Sequence, residues 1–477
     1  LLEHCRISRG PAVLLGGAHS ILGCKLREPE TWIEVGEEVV GVTLANNEYH
    51  SPSSAVRSRA REGIVRSSDA PLPLNPIPPY PDHKVRAPVT PFTRLDVVAP
   101  SGSDDTAAIQ AAMDGLQRKG GGIVFLPAGD YRVEGSLQVP SGIELRGIHD
   151  VPHHTMGGGS ILHIHPPDET TPTIVLYPRS GLRGLSFNYP GQRAESVTPF
   201  PFLIQGRGEQ IYIINVNAAN PYRFIDLMTY RCDDHYVDYP SGAPLKTGIA
   251  IGGGSRNGIV KNMQFNPHYA LRTPAGNRHF AMGDAFRPLW EYQKENLDAL
   301  VVADCEAEFL YQNFVYGSLY GIHFTHQSGR GAVDCISHGH GTDGSKVGCY
   351  FEFGHGTITM VNNELVAMSS QDKTAIKVSE GFDSEATLVN SMVWGNPDLL
   401  AEIGNGTLTL QNLHAHRHGR GLRLSKGTLH AFKLSFYQPG QHLTAAAGSD
   451  AVLTGFITMG RFQSVGEPAK PALLIAR

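Results

Sequence analysis

The chain has 477 residues and a mass of 51.6 kDa, a length that suggests about three domains at roughly 150 residues each unless one elongated fold takes up most of it. Lys and Arg number 40 against 45 Asp and Glu, a net charge of −5 without a basic block, so neither nucleic acid nor a membrane surface is an expected partner. No apolar run approaches the roughly 18 residues that span a bilayer. Gly and Pro are abundant (54 and 32) and only 18% of residues are charged, which favours many short strands joined by turns and excludes an all-helical protein.

Cysteine usage excludes two further classes of protein. Six cysteines are too few for a disulfide scaffold in a chain of this length, and none lies in a CxxC pair, which argues against a zinc ribbon or a thioredoxin-like site. The chain begins at Leu1 with neither Met nor a signal sequence, so we expect it to be a processed or trimmed part of a longer product. These features do not reveal its compartment.

The first 94 residues fall into two parts. Residues 1–50 contain the short apolar pieces 12–15, 20–24 and 38–44, separated by Gly, Asn and Pro, and these predict strands. From residue 51 the pattern is lost, and the proline-rich stretch 71–81 predicts an extended connector. We therefore predict a strand-rich segment over 1–50, a connector over 51–94 and a main domain over 95–477.

A single amphipathic helix is predicted at the start of the main domain. Apolar residues at 109, 112, 113 and 116 have helical spacing, Ser103 or Asp104 can cap the N-terminus, and the glycines at 120–122 end the helix. Two strand-rich stretches, 123–131 and 137–147, follow with tight turns between them.

The runs DDTAAIQAAM, GGGIVFLPAGDYRV and LQVPSGIELRG, which together span residues 104–147, resemble the opening of the pectate-lyase-like, glycoside hydrolase family 28-related superfamily. The resemblance implies an all-β fold, a right-handed parallel β-helix whose open end is plugged by the short helix, with Asp104 and Asp105 as capping residues. It also implies a secreted or periplasmic protein. Residues 1–50 are then expected to be the last coils of a preceding β-helix-like unit or an added layer of strands.

The remaining sequence supports a solenoid independently of the resemblance. Short apolar pieces begin at residues 357, 387, 407, 428 and 451, and intervals of this size correspond to one coil each. We count ten to twelve coils in total. Between residues 187 and 300 the intervals are longer, which predicts large insertions, and insertions in solenoids map to one face and often form the binding surface.

A group of carboxylates at residues 301–308 is the predicted catalytic centre. Strand alternation would turn Val301, Ala303, Cys305 and Ala307 inward. Asp304, Glu306 and Glu308 would then point outward together, where like charges raise one another's pKa values as a general acid–base pair requires.

The next coil is expected to repeat this alternation, with Val333, Cys335 and Ser337 inward, Asp334 and His338 outward, and His340 and Asp343 in the turn. Glu306 is the predicted general acid, Asp304 or Asp334 the base, and Glu308 and His338 complete the predicted catalytic group. Carboxylates two residues apart on a strand are about 6.6 to 7 Å apart, nearer to an inverting than to a retaining glycosidase. Glu306→Gln should then abolish turnover with the fold intact; a solvated acidic sheet surface is the alternative interpretation.

Polar and aromatic residues of the predicted insertions and turns are candidates for sugar binding, because aromatic faces stack on sugar rings while polar groups bond hydroxyls. The predicted substrate-binding residues are Asp234, His235, His268, Tyr269, Arg272, Trp290, His340, Asp343 and Lys346. His338, His340 and Asp343 have metal-ligand chemistry, but a Gly-rich turn is the favoured interpretation and no metal site is predicted. His414, His416 and His418 are predicted to form a polar ladder on one strand face, and Asn362, Asn363 and Asn390 hydrogen-bonded ladders between coils.

Three functions remain open. The leading prediction is a glycoside hydrolase that cleaves a polysaccharide or oligosaccharide without a cofactor. The second is a polysaccharide lyase, which would use Arg272, Arg278, Arg287 or Lys346 and possible Ca²⁺ on a uronate, and the third is a non-catalytic glycan-binding solenoid. The polygalacturonase motifs of the superfamily are missing, which argues against polygalacturonan as substrate; the tandem layout also resembles β-1,3-glucanases of glycoside hydrolase family 55. The oligomeric state is left open.

Overall fold

The structure, a computed structural model, describes residues 2–3, 5–60, 62, 65–68, 88, 94–149, 158–272, 286–366, 373–438, 440–454, 457–458 and 463–465. The predicted proline connector at 71–81 lies outside the described residues. The division into 1–50, 51–94 and 95–477 therefore stays a prediction.

From residue 95 onward the chain forms a parallel β-solenoid with two long sheets. Sheet A has 22 strands, and they are Leu95–Val97, Gly122–Phe125, Gly129–Val133, Ile143–Arg146, Ser160–Ile164, Gly181–Arg183, Ser186–Asn188, Tyr212–Ala218, Tyr236–Gly242, Ile259–Lys261, Gln264–Phe265, Phe309–Tyr311, Phe314–Tyr316, Cys335–His338, Gly341–Asp343, Thr357–Val361, Glu364–Val366, Glu385–Trp394, Thr407–Ala415, Thr428–Phe436, Asp450–Thr454 and Ile457–Thr458.

Sheet B has 13 strands, one from each coil: Leu137–Val139, Ile174–Leu176, Phe202–Gly206, Arg223–Leu227, Thr247–Ile251, Asp298–Val302, Tyr320–Phe324, Val347–Phe351, Thr374–Val378, Leu399–Ile403, Arg420–Leu424, Gln441–Ala445 and Gln463–Val465. A two-stranded ladder of Ser255–Arg256 and Cys305–Glu306 lies at the corner between the sheets. Between the sheets runs one continuous apolar core, from Ile109 to Leu453.

The N-terminal segment forms further parallel strands with a separate small core around Ile21, Ile33 and Val42. Its three small sheets contain Leu2–Glu3, Gly17–Leu22, Val39–Ala45 and Val65–Ser68; Ala12–Leu14, Ile33–Val35 and Val56–Ser58; and Lys25–Leu26 with Glu48–Tyr49. A short 3₁₀ helix spans Pro52–Ser54. The strands predicted over 1–50 are present, and Val56–Ser58 and Val65–Ser68 extend the same sheets into the residues predicted as connector.

The described residues make about 16 turns of solenoid, so the predicted ten to twelve is wrong. The sequence count missed coils whose strands are only three residues long, such as Ile174–Leu176 and Gly181–Arg183, because so short a strand leaves no recognisable apolar period. From residue 357 onward, where the strands are longer, the predicted and observed strand starts agree within two residues.

The predicted amphipathic helix is α1, Thr106–Arg118. Its apolar stripe, Ile109, Met113 and Leu116, is buried in the main core. Asp104 Oδ1 accepts a hydrogen bond of 3.0 Å from the Thr106 amide at the N-terminus of the helix. Two other helices, α2 (His268–Arg272) and α3 (Phe286–Asn296), belong to the predicted insertion. Within the described residues, no helix is both long and apolar enough to cross a membrane.

A left-handed bend recurs at one position of successive coils in sheet A. Residues with positive φ stack there in register: Asn215, Tyr239, Asn262, Gln312, Gly339, Asn362, Asn390, Asn412 and Lys433. Asn tolerates this conformation and its amide can bond its neighbour. Asn390 Nδ2 donates to Asn362 Oδ1 (3.3 Å), and Asn412 Nδ2 donates to Asn390 Oδ1 (2.7 Å). The predicted asparagine ladder is therefore present, and the bend divides each coil into separate outward faces.

Candidate active site

The predicted acidic strand is interrupted by turns, and its simple alternation is wrong. The strand ends at Val302, and Ala307, predicted to face inward, is exposed with a φ of +53°. Each turn interrupts the alternation of inward and outward side chains along the strand. As a result Asp304 is partly exposed, Glu306 is exposed and Glu308 is buried, so the three acids do not share one surface.

Glu308 points into the solenoid and pairs with His235. The His235 Nε2 lies 3.1 Å from Glu308 Oε1, His235 Nδ1 donates to the Cys232 carbonyl at 2.8 Å, and both side chains are fully shielded from solvent. They sit two coils apart, with Gly258 in register between them. A Cβ atom at Gly258 would lie 2.0 Å from His235 Cε1 and 2.4 Å from Glu308 Oε2, so the missing side chain provides the space in which they meet.

This pair is a structural element rather than part of a sugar site. Burial alone would lower the pKa of His235, but the charge and hydrogen bond of Glu308, aided by the Cys232 carbonyl, outweigh burial and raise it. An ion pair inside a wall with no solvent contact cannot touch a polysaccharide. The structure therefore places Glu308 away from the predicted catalytic surface and His235 away from the predicted substrate-binding surface.

Asp304 and Glu306 do line a common surface pocket, but each has an arginine partner. Arg330 lies 2.8 Å from Asp304, and Arg256 lies 2.9 Å from Glu306. The pocket, to which Arg231 also contributes, holds about 200 Å³, below the roughly 300 Å³ at which small-molecule pockets usually begin. Paired carboxylates in a small pocket are typical of a surface ion-pair network.

The next coil separates the residues predicted to lie beside them. Asp334 is exposed at a residue with positive φ, and His338, although on the outward face of its strand, is largely buried, with its ring 6.0 Å from that of Phe309. The predicted inward positions of Cys335 and Ser337 are correct, whereas Val333 is half-buried. His340 faces inward, and burial lowers its pKa to about 4, so it is unavailable for the predicted contact with substrate.

The insertion brings together several of the predicted sugar-binding residues, largely through their own packing. His268 stacks on Phe286 at 4.8 Å, and Trp290 stacks on Tyr316 at 5.9 Å. Asp343 lies in register beside Tyr316, and burial raises its pKa.

The other predicted contacts of this region are dispersed. Tyr269 is buried in the small core of the insertion, and Lys346 binds Glu295 of α3 at 2.8 Å. Asp234 lies at a separate corner, where it accepts a bond of 3.4 Å from Asn257. Arg272 ends α2, and both its side chain and Arg278 lie outside the described part of the chain.

The strongest acid–base arrangement lies elsewhere, on the outward face of sheet B. His323 Nδ1 lies 2.7 Å from Asp298 Oδ2, and its Nε2 lies 3.0 Å from Glu352 Oε2, both within hydrogen-bonding distance. Thr325 Oγ1 donates to the same Glu352 oxygen at 2.5 Å. The three residues come from three successive coils. Asp298 lies in register beside Tyr320 and His323 beside Tyr350, so the three side chains meet diagonally across neighbouring strands rather than in one column. Glu352 keeps 40% of its side chain exposed, Asp298 21% and His323 10%, so this acid–base cluster is rigid yet reachable from solvent.

The two carboxyl groups of the acid–base cluster are pushed in opposite directions. Burial raises the pKa of Asp298, an effect that the hydrogen bond and charge of His323 only partly offset. For Glu352, the hydrogen bond from Thr325 and the charge and hydrogen bond of His323 outweigh burial and lower the pKa. The pKa of His323 is raised, because its two carboxylate partners outweigh burial. Groups whose pKa values are separated in this way are the usual acid and base of a catalytic site.

Aromatic and basic side chains flank the cluster. Tyr350 stacks on the His323 ring at 4.7 Å, and Tyr320 lies 5.0 Å from Tyr350. Burial raises the pKa of Tyr350 to about 12. Lys377, in the next coil, places its Nζ 5.1 Å from the centre of the Tyr350 ring. The outward face thus combines ring surfaces, a cation and two carboxyl groups within a few coils.

A repeated pattern in the sequence could have indicated this cluster. The runs YGIHFT (320–325) and VGCYFE (347–352) have Gly second and Phe fifth, and the structure pairs them position by position. That alignment places His323 beside Tyr350 and Thr325 beside Glu352. Asp298 directly follows the insertion that was expected to form the binding face, but it carries no motif of its own.

No group of three or more His, Cys, Asp or Glu side chains with metal-binding geometry occurs among the described residues. The six cysteines, all within the described ranges, form no disulfide. The sulfur atoms of Cys305 and Cys335 lie 3.7 Å apart in the core.

Fold and sequence comparison together define the class of protein. The chain is an all-β parallel solenoid, and residues 98–153 match the family model for "Rhamnogalacturonase A/epimerase, pectate lyase-like". The predicted resemblance to the pectate-lyase-like superfamily is confirmed on this segment.

Similarity in sequence to particular proteins is confined to a short stretch of the chain. Mannuronan C5-epimerase AlgE1 of Azotobacter vinelandii is 60% identical over 40 residues, which are 8% of this chain and 3% of that protein. Alginate lyase 7 of the same organism is 52% identical over 40 residues, 8% of this chain and 5% of that one. Among solved structures, the A-module of A. vinelandii mannuronan C-5 epimerase AlgE4 aligns with 78% of this chain and 96% of its own, at 14% identity and a TM-score of 0.44. The chain thus spans only a small part of the curated relatives that it matches.

Proposed function

We propose that the chain is a carbohydrate-active enzyme whose acid–base centre is the cluster of Asp298, His323 and Glu352. The observation that carries the proposal is the single imidazole that bridges two carboxyl groups whose pKa values shift in opposite directions. The substrate is a polysaccharide or oligosaccharide, and the protein acts outside the cytoplasm. The ring faces of Tyr320 and Tyr350 provide stacking surfaces for sugar units beside the reacting bond.

The reaction that this arrangement supports best is hydrolysis of a glycosidic bond. Glu352, the more exposed carboxylate with the lowered pKa, is the base that activates water. Asp298, whose pKa is raised and whose side chain keeps 21% of its surface exposed, is the acid that protonates the leaving oxygen. His323 holds the two carboxyls at opposite edges of its ring, which leaves space for a water and favours inversion. No cofactor takes part.

Proton abstraction from a uronate is the second candidate, and a specific observation favours it. Lys377 adds a cation beside Tyr350, and a cation there would offset the charge of a uronate carboxylate while Glu352 removes the neighbouring proton. The local relatives are named as an epimerase and a lyase, and the family model also carries an epimerase name. A lyase could add Ca²⁺ for the same purpose.

One screen tests the proposal and separates the two reactions. The protein is incubated in D₂O with a panel that contains alginate, polygalacturonate and neutral glucans. Hydrolysis gives new reducing ends, elimination gives an unsaturated uronate, and epimerisation gives deuterium in the polymer without cleavage. Binding of a glycan with none of these products would support the non-catalytic alternative and overturn the proposal.

The matched variants locate the centre. Glu352→Gln and Asp298→Asn should each lower product formation by about 10²–10⁴-fold, whereas Glu306→Gln, the variant singled out by the sequence, should retain turnover. If Glu306→Gln loses product formation while Glu352→Gln keeps normal turnover, the catalytic centre is the pocket of Asp304 and Glu306 and not the acid–base cluster.

A further inference from the structure

A second outward face, distant in sequence from the acid–base cluster, carries an ordered array of aromatic and amide side chains. It belongs to sheet A, on the C-terminal side of the left-handed bend. Trp394, His416 and Tyr437 follow one another in register on three successive coils, and we call them the aromatic column. Strand spacing places successive members about 4.8 Å apart.

Stacking and hydrogen-bonding contacts fix the orientations of the rings in the aromatic column. His416 stacks on Tyr437 at 5.0 Å with an interplanar angle of 27°. His414, one column away, lies nearly parallel to Tyr437 at 6.2 Å, and its Nδ1 is 3.3 Å from the Tyr437 hydroxyl. The Trp394 indole donates from Nε1 to Glu364 Oε1 at 2.8 Å. These contacts fix the ring orientations before any ligand binds, which lowers the entropic cost of binding.

The same rings remain open to solvent. Trp394 is 37% exposed, Tyr437 41% and the neighbouring Met392 42%. They are three of the nine strongly exposed large apolar side chains in the described part of the chain. A cluster of such side chains on one rigid face marks a binding surface more often than scattered ones do.

Hydrogen-bonding groups border the aromatic column. Met392 lies two residues before Trp394, and His414 lies two residues before His416, so these two side chains form a neighbouring column. Next to that column, at the left-handed bend, lies the amide ladder of Asn362, Asn390 and Asn412. Of the charged side chains nearby, Glu364 accepts the hydrogen bond from Trp394, and Lys433 lies in register beside Asn412. Flat rings and amides together are the chemistry that recognises the rings and hydroxyls of an uncharged sugar chain.

We propose that this face binds a neutral polysaccharide, with sugar rings stacked on the aromatic column and hydroxyls bonded by the amide ladder. The bound chain runs parallel to the solenoid axis, because the aromatic column does. The site is separate from the acid–base cluster, which lies on sheet B, so the proposal does not depend on the reaction that the cluster performs.

Affinity electrophoresis of the whole chain tests the proposal. The probes are soluble β-glucan, galactomannan and dextran, each cast into a native gel, with alginate as the charged comparison. At least one neutral polymer should retard the wild-type protein, and the double variant Trp394→Ala/Tyr437→Ala should bind that polymer roughly tenfold or more weakly. Trp394→Tyr, which keeps a ring in place, should retain most of the binding.

Two controls keep the result specific. Tyr230→Ala removes an aromatic side chain that is 44% exposed but lies off this face, and it should leave the retardation unchanged. Glu352→Gln should also bind normally, so a failure of the catalytic proposal would not alter the outcome. Circular dichroism melting verifies that each variant folds.

Three results would overturn the proposal. The first is a wild-type protein that none of the neutral polymers retards, and the second is equal retardation of the wild type and the folded double variant. The third is a wild-type protein that sediments as a dimer and becomes monomeric in the double variant, which would assign the face to a second copy of the chain.

Discussion

Two histidine–carboxylate groups in this solenoid use the same chemistry on opposite sides of the wall. His235 and Glu308 meet inside, fully shielded from solvent, over a glycine that leaves them space. Asp298, His323 and Glu352 meet outside, where the carboxyl groups keep part of their surface exposed. In both groups the carboxylates raise the pKa of the histidine against the effect of burial.

The difference teaches that a His–carboxylate contact does not by itself indicate a catalytic centre. The interior pair has no access to a substrate, and removing one member of a buried charge pair is strongly destabilising because the other is left without a partner. The exterior group can receive a substrate, and its second carboxylate divides the roles of acid and base. Changes to either group should therefore affect different properties, stability for the first and turnover for the second.

The largest expected effect is on catalysis. Glu352→Gln removes the base without removing the hydrogen-bonding shape of the side chain, and we expect turnover to fall by about 10²–10⁴-fold. The urea midpoint should change little, because the side chain is partly exposed. Initial rates on whichever substrate the screen identifies, with urea melts of the same samples, measure both; a stability loss that accounts for the lost rate would contradict the assignment.

The interior pair should behave in the reverse way. Glu308→Ala leaves a buried histidine without its carboxylate, and we expect a loss of about 3–5 kcal/mol in the free energy of unfolding. Turnover per folded molecule should be unchanged, since Glu308 has no access to substrate. Urea unfolding at neutral pH gives the first quantity, and a specific activity corrected for the folded fraction gives the second.

Gly258→Ala tests the space between the two interior side chains. The added methyl group would overlap both His235 and Glu308, so we expect a loss of about 1–3 kcal/mol or more from overpacking. Gly115→Ala in the middle of α1 is the matched control, because its Cβ would meet nothing nearer than 4.0 Å. Alanine there should be neutral or stabilising by up to about 1 kcal/mol.

The pH dependence of stability should also separate the pair. Because the folded-state pKa of His235 is raised, its contribution is complete below the unfolded value of about 6.5 and is lost as the pH rises through the folded value. Glu308→Gln should remove this component. The difference between the urea midpoints of wild type and variant, followed from about pH 5 to 9, isolates the contribution of His235 from the similar contribution of His323. If the two midpoints change with pH in parallel, the assignment is contradicted.

The smallest effect is expected at the pocket that the sequence singled out. Glu306→Gln breaks an exposed ion pair with Arg256, and such pairs contribute little to stability. Both the urea midpoint and turnover should stay within error of the wild type. A clear loss of turnover would show that the acidic corner, and not the outward cluster, holds the reactive group.

The local sequence predicted the solenoid well where the strands are long. The apolar pieces from residue 357 onward and the helix before the first coil agree with the structure, since both signals depend on residues close together in the chain. The resemblance at 104–147 added the superfamily. The coil count was too low because three-residue strands carry too little pattern to recognise.

The site could not be predicted in the same way. The predicted alternation of side chains at 301–308 fails at Ala307, where a positive φ turns the chain and places Glu308 in the interior. Neither Ala307 nor its neighbours are residue types that predict a left-handed bend. The sequence determined that this chain winds into a β-solenoid, because apolar periodicity and turn residues act locally. Only the tertiary structure decided which acids meet a histidine, because Asp298, His323 and Glu352 lie 25 and 29 residues apart and come together through the register of stacked coils.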